Sequence, residues 1–282
     1  MHFHCLLSRV NGYLDREANT LHIENIKKTF FKNTINEKVA LNGLSLHLEE
    51  GDFVTVIGGN GAGKSTLLNS IAGAFMVDEG AIFIDDIDVT KMPEHKRAAH
   101  IGRVFQDPMM GTAANMQIEE NMLLAMRRGK SMGLSWIFDK EQRKEIQKAL
   151  ATLDLGLEDR VQTRMGMLSG GQRQSITLLM ATMVRPKILL LDEHTAALDP
   201  KTASKVLELT DRIVTEHGLT SLMITHNMRD ALRYGNRLIM MDAGKIVVDV
   251  KGDEKKSMTV NDLLAKFELA TGDISDRMVL GQ

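Results

Sequence analysis

The feature that most constrains this chain is an apolar run of strand length that passes straight into a glycine loop and then into a helical pattern. Phe53-Val54-Thr55-Val56-Ile57 ends in Gly58-Gly59-Asn60-Gly61-Ala62-Gly63-Lys64-Ser65-Thr66, and Leu67, Leu68, Ile71 and Ala72 follow at helical spacing. Mostly apolar runs of this length suit strands covered on both faces, as in a parallel sheet. The loop fits G-x-x-x-x-G-K-[ST] in its required setting, between a strand and a helix. Glycines there let backbone N–H groups converge on phosphate oxygens with no Cβ in the way, and the helix behind them offers its positive end. Lys64 is then a point charge for the β- and γ-phosphates. Ser65 has a hydroxyl suited to Mg2+, and Thr66 adds a hydrogen bond nearer the α-phosphate. The competing reading, a glycine-rich turn with a surface lysine, does not account for the strand and helix on either side.

Two further buried-strand runs occupy residues 188–191 and 221–225, and residues 238–249 read as a hairpin turning at Ala243-Gly244. Residues 21–26 and 44–48 alternate apolar and polar side chains, the pattern of strands solvated on one face. Residues 108–166 are nearly free of strand patterns and rich in Lys, Arg, Glu, Gln and Met, so they are expected to form a helical insertion. Strands alternating with helices around buried runs give an α/β doubly wound core.

Composition removes several alternatives. With 282 residues the chain can form one large domain or two small ones. It contains 35 Lys and Arg against 37 Asp and Glu, a net charge of −2, which argues against a broad nucleic-acid footprint. The single cysteine, Cys5, excludes an internal disulfide and a Cys-rich zinc ribbon. No run of apolar residues is long enough for a membrane-spanning helix. Residues 1–20 hold no sustained period and are expected to be a flexible leader. His2, His4 and Cys5 could bind a metal there, but no fourth ligand accompanies them.

Two more segments carry chemistry. Leu168-Ser169-Gly170-Gly171-Gln172 precedes the amphipathic pattern Ile176, Leu179, Met180, Met183 and Val184. Ser169 is a suitable N-cap, and the glycines expose N–H groups at a helix start, so the run is either a second anion site or an ordinary helix cap. The strand at 188–191 delivers Asp192 and Glu193 to its C-terminal end, where open α/β sheets bind ligands. Adjacent strand residues point to opposite faces, so the two acids should have different tasks, one on Mg2+ and one on water. A buried structural pair is the alternative.

The ordered set of Gly58 through Ser65, Gln106, Leu168 through Gln172, Ile188 through Glu193, Ala197-Leu198-Asp199 and His226 resembles the ATP-binding subunits of ABC (ATP-binding cassette) transporters over residues 21–250. That resemblance implies a P-loop NTPase core with an N-terminal antiparallel β subdomain and an inserted helical subdomain at about 108–166, followed by a short helical tail over 251–282. It implies ATP and Mg2+ as ligands, with Ser65, Gln106 and Asp192 around the metal. Glu193 would polarise water, His226 would contact the γ-phosphate, and Asp199 would cross a dimer interface. Phe30 is placed to stack on adenine, with Phe31 a close competitor. Two copies, or a pseudo-dimer, would sandwich ATP, the Ser169 to Gln172 run of one copy facing Lys64 of the other.

Two residues depart from the family pattern: His194 stands where proline is usual, and Ser175 where arginine is common. His194 either titrates near the site or is a neutral replacement. A cassette without its own membrane span implies separate permease subunits, a place at the cytoplasmic face of the cell membrane, and in an importer an extracytoplasmic substrate-binding protein. Met109, Met110, Met116, Met122, Met126 and Met132 could form a docking groove for a permease helix or fill the helical subdomain. An importer for an amino acid or similar small solute is the expectation. An exporter subunit and a non-transport ABC ATPase are the alternatives.

Overall fold

A computed structural model describes residues 19–130 and 140–272. The metal reading of His2, His4 and Cys5, most of the leader, Met132 and the end of the tail lie outside the described residues. Two sheets make the framework. Strands β1 (Asn19–Phe30), β2 (Lys38–Glu49), β4 (Glu79–Ile84) and β5 (Ile87–Asp88) form an antiparallel sheet in the order β2-β1-β4-β5. Strands β3 (Phe53–Gly58), β6 (Ile101–Val104), β7 (Ile188–Asp192), β8 (Ser221–Ile224), β9 (Arg237–Asp242) and β10 (Lys245–Lys251) form the second sheet, in the order β10-β9-β3-β8-β7-β6. Its ladders are parallel except the β9–β10 hairpin, which turns through Ala243 (φ 45) and Gly244 (φ 76) as expected.

The apolar runs serve two cores at once, which is why they do not alternate. Ile188 and Leu190 face a cluster shared with Leu21, Ile23 and Leu41 of the antiparallel sheet and with Leu67, Leu68 and Ile71 of α1 (Lys64–Ala72). Leu189 and Leu191 face the opposite cluster, with Ile118 and Met122 of α3 (Ile118–Met126), Ile146 and Leu150 of α4 (Lys140–Ala151) and Ile176 and Leu179 of α5 (Gly170–Met183). The short helix between these, α2 (Glu94–Arg97), supplies Arg97, a fully buried guanidinium that donates to the carbonyls of Ser70, Ile71, Thr90 and Met92. Each buried Leu or Ile contributes about 1.5–3 kcal/mol of transfer free energy. Helices α6 (Pro200–Glu216) and α7 (Met228–Arg233) complete the second layer.

Two expectations are corrected. Among the described residues, Asn19 opens β1 and Thr20 is buried, so the last two residues of the expected leader belong to the first strand. The sequence marks one amphipathic helix in the tail, at about residues 260–270, whereas the described residues of the tail hold two, α8 (Gly252–Ser257) and α9 (Val260–Thr271). Leu263 and Phe267 of α9 pack on Ile57, Leu238 and Met240, a third apolar cluster that fixes the tail to the core. The methionines of the insertion divide: Met122 is fully buried and Met126 packs against its cluster, whereas Met109 and Met110 are exposed.

Candidate functional site

The glycine loop takes its shape from its sequence. Gly63 caps α1 at φ 103, a region L side chains rarely adopt, and a Cβ there would collide with the Ala40 carbonyl. Gly61 stands at φ 85. The loop closes on itself through the Ala62 N–H, which donates to the Gly59 carbonyl at 3.2 Å. Lys64 is buried, and its ammonium donates to the carbonyls of Gly58 (2.7 Å) and Gly59 (3.2 Å). Burial lowers the Lys64 pKa, while the charges of Glu193 and Asp192 oppose that shift and favour the ammonium.

This loop forms one wall of an open pocket of about 350 Å³, lined by Phe30, Lys38, Ala40, residues 60–66, Glu193 and His226. That volume lies within the range of small-ligand sites. Glu193 reaches it from the end of β7 with φ 45, a left-handed backbone that costs a non-glycine residue on the order of 1–3 kcal/mol. The conformation is held by the Glu193 N–H, which donates to the Ile224 carbonyl (3.2 Å), and by His226 Nε2, 2.6 Å from Glu193 Oε1. His226 in turn follows β8, the neighbour of β7 in the parallel sheet.

Asp192 is directed elsewhere, as its place on the strand requires. Its carboxylate lies 3.7 Å from Arg103, which also donates to Asn69 Oδ1 (2.8 Å), and the Asn69 amide donates to the Ser65 carbonyl (2.8 Å). One network therefore ties Ser65 to Asp192. Burial raises the Asp192 pKa, with Arg103 and then Lys64 opposing it. Arg103 stacks its guanidinium 4.5 Å from the Phe105 ring centroid, just ahead of Gln106.

The remaining predicted residues lie outside the pocket. Gln106 is exposed and does not line it. Ser169 caps α5 through a reciprocal box: the Gln172 N–H donates to Ser169 Oγ (3.3 Å) and the Ser169 N–H to Gln172 Oε1 (3.2 Å). Asp199 caps α6 by accepting from the Thr202 N–H at 3.1 Å, and hydrogen bonding to the Thr202 hydroxyl and then to its N–H lowers the Asp199 pKa. The two capped helices meet closely, since a Cβ on Gly170 would touch Leu198 and one on Gly171 would strike Thr202. Ser169, Gly170 and Asp199 are all exposed, so these residues form a second patch apart from the pocket.

Phe30 lines the pocket, edge-on to Phe75 at 5.2 Å, whereas Phe31 is 69% exposed and does not. His194 is buried with Nε2 3.0 Å from Thr210 Oγ1, and burial pushes its pKa down to about 4, so it is neutral at physiological pH. Sequence reasoning missed Lys38, Ala40 and Arg103. The first two reach the pocket only through the β1–β2 register, in which Lys38 faces Phe30. Arg103 sits in a four-residue strand with no motif to mark it.

Comparison with known proteins places this geometry. Residues 41–196 match the family model described as ABC transporter. The chain is 45% identical over 250 residues to a tyrosine transport ATP-binding protein of Clostridioides difficile, covering 89% of this chain and 99% of that protein. It is 32% identical over 247 residues to the spermidine/putrescine import ATP-binding protein PotA of Haemophilus influenzae, spanning 62% of that longer protein's length. Among solved structures, the dimeric post-hydrolysis state of the ATP-binding cassette MJ0796, bound to ADP and Pi, matches with a TM-score of 0.69 and 30% identity over 82% of this chain and 98% of that one.

Proposed function

Because the chain belongs to the ATP-binding subunits of ABC transporters, an ATPase family, we propose that it hydrolyses ATP in the pocket described above and drives an importer for an amino acid. The observation that carries this reading is the convergence of Glu193, His226, Lys64 and Phe30 on one pocket. Phe30 would hold adenine by its face, and the loop N–H groups with Lys64 would hold the phosphates. Glu193 would accept a hydrogen bond from the attacking water and take its proton as ATP and water become ADP and phosphate. His226, fixed 2.6 Å from Glu193, would orient that carboxylate and meet the γ-phosphate.

The Ser65 hydroxyl and the Asp192 carboxylate are hard oxygen donors, a set that suits Mg2+, and the Arg103–Asn69 network holds the Ser65 backbone carbonyl and Asp192 in one arrangement. When bound, Mg2+ neutralises phosphate charge. Gln106, exposed next to the Arg103 strand, would join this shell once the helical subdomain closes.

The exposed Ser169, Gly170 and Asp199 patch does not line the Lys64 pocket of its own chain. In a dimer it would cover the phosphates held by the other copy. This accords with the dimeric state of MJ0796. Among the described residues no helix is long and apolar enough to cross a membrane. By likeness to its transporter relatives, the subunit would work at the cytoplasmic face on a separate permease, fed by an extracytoplasmic binding protein. The amino-acid cargo rests on the tyrosine transport relative.

The test is ATP turnover together with co-purification from detergent-solubilised membranes. Wild-type protein should hydrolyse ATP and bring down a permease, and Lys64→Ala should lose turnover at least 100-fold. Turnover that survives Lys64→Ala, or a preparation that binds nucleic acid and no membrane protein, contradicts the proposal.

A further inference from the structure

The pocket holds one positive group that the roles above leave unused. Lys38 opens β2 as the direct cross-strand partner of Phe30. Directly opposed residues of an antiparallel pair project to the same face of the sheet. Both side chains accordingly line the pocket. The Lys38 ammonium points at the glycine loop, 3.5 Å from the position a Cβ would take on Gly61.

Neighbouring lysines are engaged elsewhere: Lys27 pairs with Glu79 at 2.7 Å, and Lys28 and Lys32 both pair with Asp78 at 3.4 and 3.2 Å. Lys38 has no such pair among the described residues. The pocket thus has two ammonium groups at different depths. Lys64 sits at the floor on the Gly58 and Gly59 carbonyls, and Lys38 is exposed at the rim, beside the ring proposed to stack on adenine.

We propose that Lys38 is a further nucleotide-binding residue, a rim cation that contacts the phosphate chain of ATP while Phe30 holds the base. This rests on the nucleotide role proposed for the pocket. An aromatic ring stacks on adenosine as readily as on ATP, so a cation beside it makes the site favour the charged ligand. An exposed ammonium is screened by solvent and salt, so its effect should be a loss of roughly 3- to 10-fold in affinity on removal, smaller at high salt.

The experiment measures binding of ATP and of adenosine by competition against a fluorescent ATP analogue, using the full chain. Lys38→Ala should weaken ATP binding at least threefold and leave adenosine unchanged. Lys38→Arg should bind ATP within twofold of wild type. Phe30→Ala should weaken both ligands. Loss of less than threefold for ATP in Lys38→Ala, or an equal loss for ATP and adenosine, overturns the assignment. Equal ATP affinity of wild type and Lys64→Ala would instead overturn the pocket reading itself, so the two failures are distinguishable. Lys38 is exposed, and an unchanged thermal transition of Lys38→Ala confirms that the fold is intact.

Discussion

Glu193 and His194 are adjacent and have opposite fates. Glu193 occupies a left-handed backbone to face the pocket, whereas His194 turns inward and is sealed against Thr210. A histidine held neutral in the fold with a pKa near 4, but near 6.5 when unfolded, opposes folding as it protonates. Its neutral form costs nothing above about pH 7, and stability falls as pH drops from 6.5 toward 4. At pH 5 the loss should be about 2 kcal/mol relative to pH 7.5. Urea unfolding at the two pH values should show this loss in wild type and a smaller one in His194→Gln. An equal pH dependence in both proteins would contradict a neutral His194. At the same scale, Phe30→Ala should weaken ATP binding by about tenfold, the range of base–aromatic stacking, and Phe31→Ala by less than twofold. The reverse ranking would move the stacking role to Phe31.

At the scale of elements, the parts that could be read from sequence are those with local causes. The runs that became β3, β7 and β8 were legible because burial on both faces makes them continuously apolar, and the β9–β10 hairpin because Ala243-Gly244 marks its turn. Strands β1 and β2 were read at only part of their length, since register shifts and the positive φ at Asn25 break the alternation. Strands β4, β5 and β6 were missed. Strand β5 has only two residues, and β6 is a strand only because Ile101–Val104 docks on β7. The pocket divides the same way: the glycine loop, Glu193 and His226 are written in motifs, while Lys38 and Arg103 depend on pairing between distant segments. The glycine loop has little room for substitution at Gly63. Gly63→Ala would place a Cβ against the Ala40 carbonyl at a backbone angle that favours glycine. It should cost at least about 1–3 kcal/mol in chemical denaturation and abolish ATP binding. Wild-type ATP affinity in that variant would mean that the loop adopts another shape.

At the scale of the whole molecule, the proposed function makes the pocket and the exposed patch two halves of one site that do not meet within the described residues of the chain. The pocket around Lys64 opens on one side, and the capped starts of α5 and α6 expose Ser169, Gly170 and Asp199 in a separate patch. A second copy, related by two-fold symmetry, would bring each patch to the other's pocket, and such an isologous arrangement closes at two subunits. The tail helix α9 packs on β9 and β10. The most direct measurement is the molar mass of the Glu193→Gln protein by light scattering, with ATP and without it, alongside Glu193→Gln carrying Gly170→Asp. Glu193→Gln should be a monomer without ATP and a dimer with it. The double variant should stay monomeric while binding ATP as tightly as a single Glu193→Gln chain does. A dimer that forms equally well without ATP, or one that Gly170→Asp leaves intact, would contradict a site shared between two copies.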